Sequence, residues 1–189
     1  MEPHFLSNDK KMFYKYIDKC NIYFEYGSGG STYQASIRSN ISKIYSVESD
    51  KTWFNKVEQS IDSNNITYFY NEMNTIQNSW GYPGPDTTDI QKEKYSSYIR
   101  LITNPKKIDL ILIDGRFRVA CCLKCFDKIN QDCLIIFDDF LNRPQYHIVL
   151  DYYEIIEKTI DNTMVVLQKK KHIQNIPDEL IQKYELNPE

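Results

Sequence analysis

Two stretches of the 189-residue chain stay apolar without alternating: Ile108-Asp109-Leu110-Ile111-Leu112-Ile113-Asp114 and Cys133-Leu134-Ile135-Ile136-Phe137-Asp138. A strand with one wet face alternates apolar and polar residues. A run that does not alternate has both faces covered, which is the condition of interior strands in a parallel sheet. Parallel neighbours need long crossovers, and amphipathic stretches stand where these would run. Shorter strand patterns precede them at Asn21–Glu25, Lys43–Glu48 and Ile66–Tyr70. Helical patterns lie at 9–19, 32–40, 51–63, 93–103 and 118–129. Strand and helix in alternation predict an open α/β sheet. The tail from Tyr152 to Lys169 reads as an antiparallel hairpin turning at Asp161-Asn162, with a helix over 145–160 as the competing reading.

Length and charge bound what such a sheet can serve. One compact domain spanning 1–189, with its core at about 20–170, uses the whole chain. Apolar residues make up 41% and charged residues 26%, enough for a buried core. Lys and Arg number 23 against 26 Asp and Glu, a net charge of −3 that disfavours nucleic acid as the main partner. The start, Met1-Glu2-Pro3-His4-Phe5, lacks a signal-peptide layout, and no apolar run reaches the roughly 18 residues of a membrane span. Five cysteines, an odd number, fit reduced thiols. The expectation is a soluble cytoplasmic protein without a membrane partner; self-association is left open.

The first strand runs into Tyr26-Gly27-Ser28-Gly29-Gly30-Ser31-Thr32, a glycine loop that opens a helix, with Ser31 or Thr32 available as its cap. Glu48 ends the second strand, 23 positions after Glu25, where an acid can accept hydrogen bonds from a ribose diol. A nicotinamide fingerprint starting at Gly27 would need a third glycine at position 32, which is Thr32, and no P-loop lysine follows. Glu25, two residues before the first glycine, repels phosphates and suits an ammonium group. The residues favour S-adenosylmethionine as the ligand.

The blocks Glu25–Thr32, Tyr45–Trp53 and Asp114–Cys121 together resemble the class I S-adenosylmethionine-dependent methyltransferases, over roughly Tyr23 to Lys169. The resemblance implies a Rossmann-like open sheet, mostly parallel, with a C-terminal antiparallel β-hairpin and helices on both faces. It implies cofactor contacts from Glu25, Gly27, Ser28, Gly29, Glu48 and Asp114, with Asn71 and Glu72 near the adenine.

Asp114 closes the fourth strand and Asp138-Asp139 the fifth. Ligands sit outside the carboxyl ends of such strands, and neighbouring strands lie about 4.8 Å apart, so these acids converge. Two like charges about 4 Å apart repel by about 4 kcal/mol at an effective dielectric of 20, which something must offset. One reading is a magnesium site on Asp114, Asp138 and Asp139, similar to that of catechol and sugar O-methyltransferases. The other is neutralisation by Arg116 and Arg118 without a metal. Those families place Lys or His three residues after the first metal acid; here Phe117 stands there. Asp114, Asp138 and His147 are the catalytic candidates. Arg116, Asp139, Trp80 and Tyr82 are the acceptor-binding candidates, the last two on a breaker-rich loop over 71–91 expected to act as a lid.

Other signals point to structure. Cys121, Cys122 and Cys125 lack a second ligand pair at zinc spacing and read as buried small hydrophobes. Trp53 reads as packing against the sheet. The expectation is O-methylation of a sugar or other small hydroxylated acceptor, with S-adenosylmethionine as cofactor. The alternatives are a metal-free methyltransferase for protein or RNA, and a binding module that kept the fold.

Overall fold

The computed structural model describes residues 1–160 and 163–189. Its seven strands are β1 (Ile22–Tyr26), β2 (Lys43–Glu48), β3 (Ile66–Tyr70), β4 (Leu110–Ile113), β5 (Leu134–Phe137), β6 (Tyr153–Lys158) and β7 (Val165–Lys169). They form one sheet in the order β3-β2-β1-β4-β5-β7-β6. The first five are parallel; β7 pairs antiparallel with both β5 and β6. β4 is buried along its whole length and β5 nearly so, which explains their uninterrupted apolar sequences. The hairpin reading of the tail holds. The competing helix over 145–160 is replaced by a 3₁₀ segment, Pro144–Asp151, followed by β6. The expected turn at Asp161-Asn162 lies outside the described residues.

Six helices flank the sheet: α1 (Ser7–Ile17), α2 (Gly30–Ser36), α3 (Lys51–Gln59), α4 (Asp89–Ser97), α5 (Arg118–Cys125) and α6 (Asp178–Glu185). Successive side chains of a strand point to opposite faces, so each strand feeds two cores. Tyr23, Ile44, Leu110, Leu112 and Ile136 meet Met12, Phe13 and Ile17 of α1 and Ala35 of α2. Phe24, Tyr26, Val47, Ile111 and Ile113 meet Tyr95 of α4, most of α5 and Ile181 of α6. Cys121, Cys122 and Cys125 are buried within this second core. All five cysteines of the described chain are free thiols. Among the described residues no helix is long and apolar enough to cross a membrane.

Strand order turns around between β1 and β4: from β1 the chain moves outward through β2 and β3, then returns to the other side. At such a switch point the loops after the two central strands part and leave a crevice at the carboxyl ends. Here those loops begin at Gly27 and Asp114.

Candidate active site

A cavity of about 1240 Å³ occupies this crevice. Pockets for small ligands run to roughly 300–1,000 Å³, so the space can hold a cofactor together with a small acceptor. Its floor is a crossing of two backbones. Gly27 has φ 95°, and a Cβ there would lie 2.8 Å from the Gly115 amide nitrogen. A Cβ on Gly115 would in turn fall 2.1 Å from the Tyr95 hydroxyl. Neither position has room for a side chain, so the β1 and β4 loops touch main chain to main chain.

Above that crossing, the Ser28 amide donates to Glu48 Oε2 at 3.1 Å, and the Ser28 hydroxyl lies 2.8 Å from that of Ser46. The Trp53 indole donates to the Ser28 carbonyl at 2.8 Å, with its ring at the cavity wall. The expectation that Trp53 packs against the sheet is corrected: α3, capped by Asp50 through the Trp53 amide, presents the ring to the glycine loop.

Glu48 is 6% exposed and lines the cavity. Burial pushes its carboxyl up to about 7, against the opposing pull of the Asp50, Ser49 and Ser28 amides. Those three bonds leave acceptor capacity on a desolvated carboxylate for a donor from the cavity, such as a ribose hydroxyl. With Gly27, Ser28 and Gly29 lining the same wall, the residues present fit S-adenosylmethionine.

Glu25 behaves otherwise. It is fully buried beneath the glycine loop and does not line the cavity. Its Oε2 accepts from the Tyr23 and Ser31 hydroxyls at 2.9 and 2.7 Å, and its Oε1 from the Ser46 hydroxyl at 2.6 Å and from Thr32. These four donors fill the carboxylate's lone-pair positions. The expected contact with a ligand ammonium is corrected to an internal one, from which Glu25 ties β1, β2 and the start of α2 together. Thr32 sits in the first turn of α2 and accepts from the Gly29 amide at 2.8 Å, so it braces the loop from inside the helix.

Across the cavity, Asp114, Asp138 and Asp139 come together with arginines between them. Arg118 Nη2 lies 3.3 Å from Asp114 Oδ1 and 3.4 Å from Asp139 Oδ2. Arg118 also donates to the carbonyls of Gly115 at 2.9 Å and Asp138 at 2.7 Å. Arg143 Nη2 holds Asp139 Oδ2 at 3.0 Å. Burial, and the charge of the neighbouring acids, push the Asp114 and Asp138 carboxyls above the usual carboxylate range, against the opposing pull of Arg118.

The magnesium reading is therefore corrected. A guanidinium stands where a cation would have to sit, and among the described residues no group of three His, Cys, Asp or Glu side chains is arranged to hold a metal. Asp139, with φ 58°, turns its carboxylate to the two arginines.

His147 is corrected as well. Its Nε2 is 3.1 Å from the Phe140 carbonyl, its ring packs 5.0 Å from that of Phe140, and it does not line the cavity. Phe117 is fully buried in a left-handed conformation, φ 55°, at the start of α5. That twist sends Arg116 to the cavity and Arg118 to the acids.

The 71–91 loop crosses the cavity mouth and ends at the capping box of α4, built by Thr88 and Gln91. Arg116 donates to the Ser79 and Trp80 carbonyls at 2.9 and 3.1 Å, with Tyr82 beneath its guanidinium at 5.4 Å. Trp80 lines the cavity and its ring meets that of His4 at 5.3 Å; Tyr82 does not line it and serves as the support for Arg116. Gly81, φ 75°, sits over Ser49 and Glu48. Met1–Phe5 closes the remaining side, passing so near Gly30 that a Cβ there would strike the Glu2 carbonyl at 2.1 Å. Glu72 lines the cavity; Asn71 is buried away from it, donating to the Gln91 carbonyl at 2.9 Å.

Sequence reasoning missed Tyr95, Arg143 and the Met1–Phe5 segment as wall residues. Tyr95 and Arg143 lie outside any glycine or acid motif. The helical pattern over 93–103 gave Tyr95 no role of its own.

No family model matches the chain, and no curated protein matches it. Solved structures do. A methyltransferase-like protein from Silicibacter pomeroyi superposes with a TM-score of 0.84 at 22% identity, covering 99% of this chain and 98% of that one. A ribosomal protein L11 methylase from Lactobacillus delbrueckii subsp. bulgaricus gives 0.56 at 13% identity, covering 87% and 80%. A tRNA (m1A58) methyltransferase from Aquifex aeolicus gives 0.54 at 12%, covering 90% and 72%. These likenesses show the fold: the chain has the Rossmann-like sheet architecture of these methyltransferase structures.

Proposed function

We propose that the protein is an S-adenosylmethionine-dependent methyltransferase acting on a hydroxyl of a small molecule or sugar. The observation that carries the reading is the convergence, on the walls of one cavity, of the buried Glu48 at the end of β2 with Asp114 and Asp138 at the ends of β4 and β5. When bound, S-adenosylmethionine supplies an electrophilic methyl group on sulfur.

Glu48 and the Gly27–Gly29 loop hold the cofactor side. Asp114 and Asp138 offer a carboxylate oxygen that takes the acceptor's hydroxyl proton as the new C–O bond forms and the C–S bond breaks. In-line alignment supplies much of the rate, and a positioned base contributes about 10²- to 10⁴-fold. The loop bearing Trp80 and the Met1–Phe5 segment line two sides of the cavity, which supports a small acceptor over protein or RNA.

The test is calorimetric titration with S-adenosylhomocysteine, then turnover with a panel of hydroxylated acceptors. Binding with one-to-one stoichiometry, weakened at least tenfold by Glu48→Ala, is expected. A folded sample that does not bind removes the reading. Asp138→Asn is expected to lower kcat by about 10²- to 10⁴-fold with S-adenosylhomocysteine affinity within twofold of the parent.

A further inference from the structure

Of the three arginines in the cavity wall, two are neutralised and one is not. Arg118 and Arg143 form ion pairs with Asp114 and Asp139. Arg143 also has Glu189 at 3.9 Å, an exposed and weak pair. Arg116 forms no ion pair among the described residues. Its Nε and Nη2 are spent on the Trp80 and Ser79 carbonyls, neutral acceptors that cancel no charge, and its Nη1 has no hydrogen-bond partner among the described residues. The side chain is half-buried at the cavity wall. Burial, and then the charge of Arg118, make its protonated form costlier than in water, with Glu189 only partly offsetting them. An anion arriving from the cavity would relieve both.

We propose that the acceptor carries an anionic group, a carboxylate or a phosphate, that pairs with Arg116, and that this pairing holds the 76–82 loop closed over the acceptor. It rests on the acceptor side of the reading above and names its chemical class. The link to closure follows from the geometry. The guanidinium is held by two loop carbonyls and the Tyr82 ring at the cavity wall, so an anion that pairs with its remaining N–H groups is tied to the loop through the same side chain. An anion bound to it draws the guanidinium charge toward the cavity and shields the clamp from water. The nearby acids do not oppose this strongly, because Asp139 is engaged by two guanidiniums and Asp114 by one.

The experiment uses the full chain saturated with S-adenosylhomocysteine. Inorganic phosphate, glucose 6-phosphate, glucuronate and neutral glucose are titrated into the parent protein, Arg116→Met and Arg116→Lys, each first shown to be folded by circular dichroism. Hydrogen exchange across 76–82 is followed with and without each probe. At least one anionic sugar is expected to bind tenfold or more tighter than glucose. Arg116→Met should lose that preference, by roughly 10- to 100-fold, with its S-adenosylhomocysteine affinity retained. Exchange across 76–82 should slow on anion binding in the parent and not in Arg116→Met.

Arg116→Lys should keep part of the affinity and lose the slowing, because an ammonium cannot clamp two carbonyls and an anion in one plane. Preference for glucose 6-phosphate over glucuronate assigns the group as phosphate, and the reverse as carboxylate. Equal binding of glucose and both anionic sugars overturns the proposal, as does an anion preference that survives in Arg116→Met. If Arg116→Met does not fold, the Arg116→Lys comparison decides. Titrations repeated without S-adenosylhomocysteine separate this outcome from failure of the cofactor reading, since Arg116 can be judged by anion binding alone.

Discussion

Glu25 and Glu48 show how two acids of one motif divide their work. Both are buried, yet Glu25 is saturated by four hydroxyls while Glu48 faces the cavity. Glu25→Ala strands those hydroxyl donors and is expected to cost roughly 3 kcal/mol in urea unfolding. Glu25→Gln should keep most of the stability and leave cofactor affinity within a few-fold; loss of affinity without loss of stability would return Glu25 to the ligand. For Glu48 the expectation concerns pH. Its carboxyl titrates near 7, and ribose hydroxyls bind best to the ionised form. S-adenosylhomocysteine affinity should therefore rise between pH 6 and 8, and Glu48→Gln should abolish that slope. The sequence placed both acids correctly along the chain. It could not say which faced outward, because that depends on Ser46 and Tyr23, neither of which belongs to the glycine motif.

Among the elements, α6 was the one that sequence reading passed over. Its signal was present: Pro177, then Asp178-Glu179 in the first turn, then Leu180, Ile181 and Tyr184 at helical spacing. The helix closes the α5 face, where Lys124, almost fully buried, pairs with Glu185 and donates to the Ser97 hydroxyl at 2.7 Å. Glu185→Ala leaves a buried ammonium without its counter-charge and should destabilise by about 3–5 kcal/mol, measured as a shift of the urea midpoint at constant slope. Lys124→Met should cost less, since Glu185 is the less buried of the two partners. The strands were legible because burial on both faces writes itself as an unbroken apolar run. The helix ends were less so: α2 stops at Ser36, and α4 gives way to a 3₁₀ turn at Tyr98–Leu101, where local propensity has little to say.

At the scale of the whole molecule, the sheet order fixes where charge must be buried, and stability carries the consequence. Glu48, Asp114 and Asp138 all have folded-state carboxyls raised by burial. Between the ordinary carboxylate range and these raised values the folded protein holds protons that the unfolded chain has released. Stability must then fall as pH rises through that window. The midpoint of thermal unfolding is expected to be higher at pH 6 than at pH 8, and Asp138→Asn should flatten the difference. A midpoint that rises toward pH 8 would contradict the burial of these acids. The acid cluster was legible from two strand ends alone; its neutralisation by Arg118 and Arg143 was only half so, because Arg143 approaches from a loop beyond β5.

The chain has two tryptophans, and both stand at the cavity. Trp53 is bonded to the glycine loop, and Trp80 rides on the crossing loop beside His4. Tryptophan emission, excited at wavelengths tyrosine does not absorb, thus comes entirely from this site, with no label added. Trp53→Phe leaves Trp80 as the one tryptophan, so ligand arrival beside the crossing loop can be timed in a stopped-flow instrument from the chain's own light.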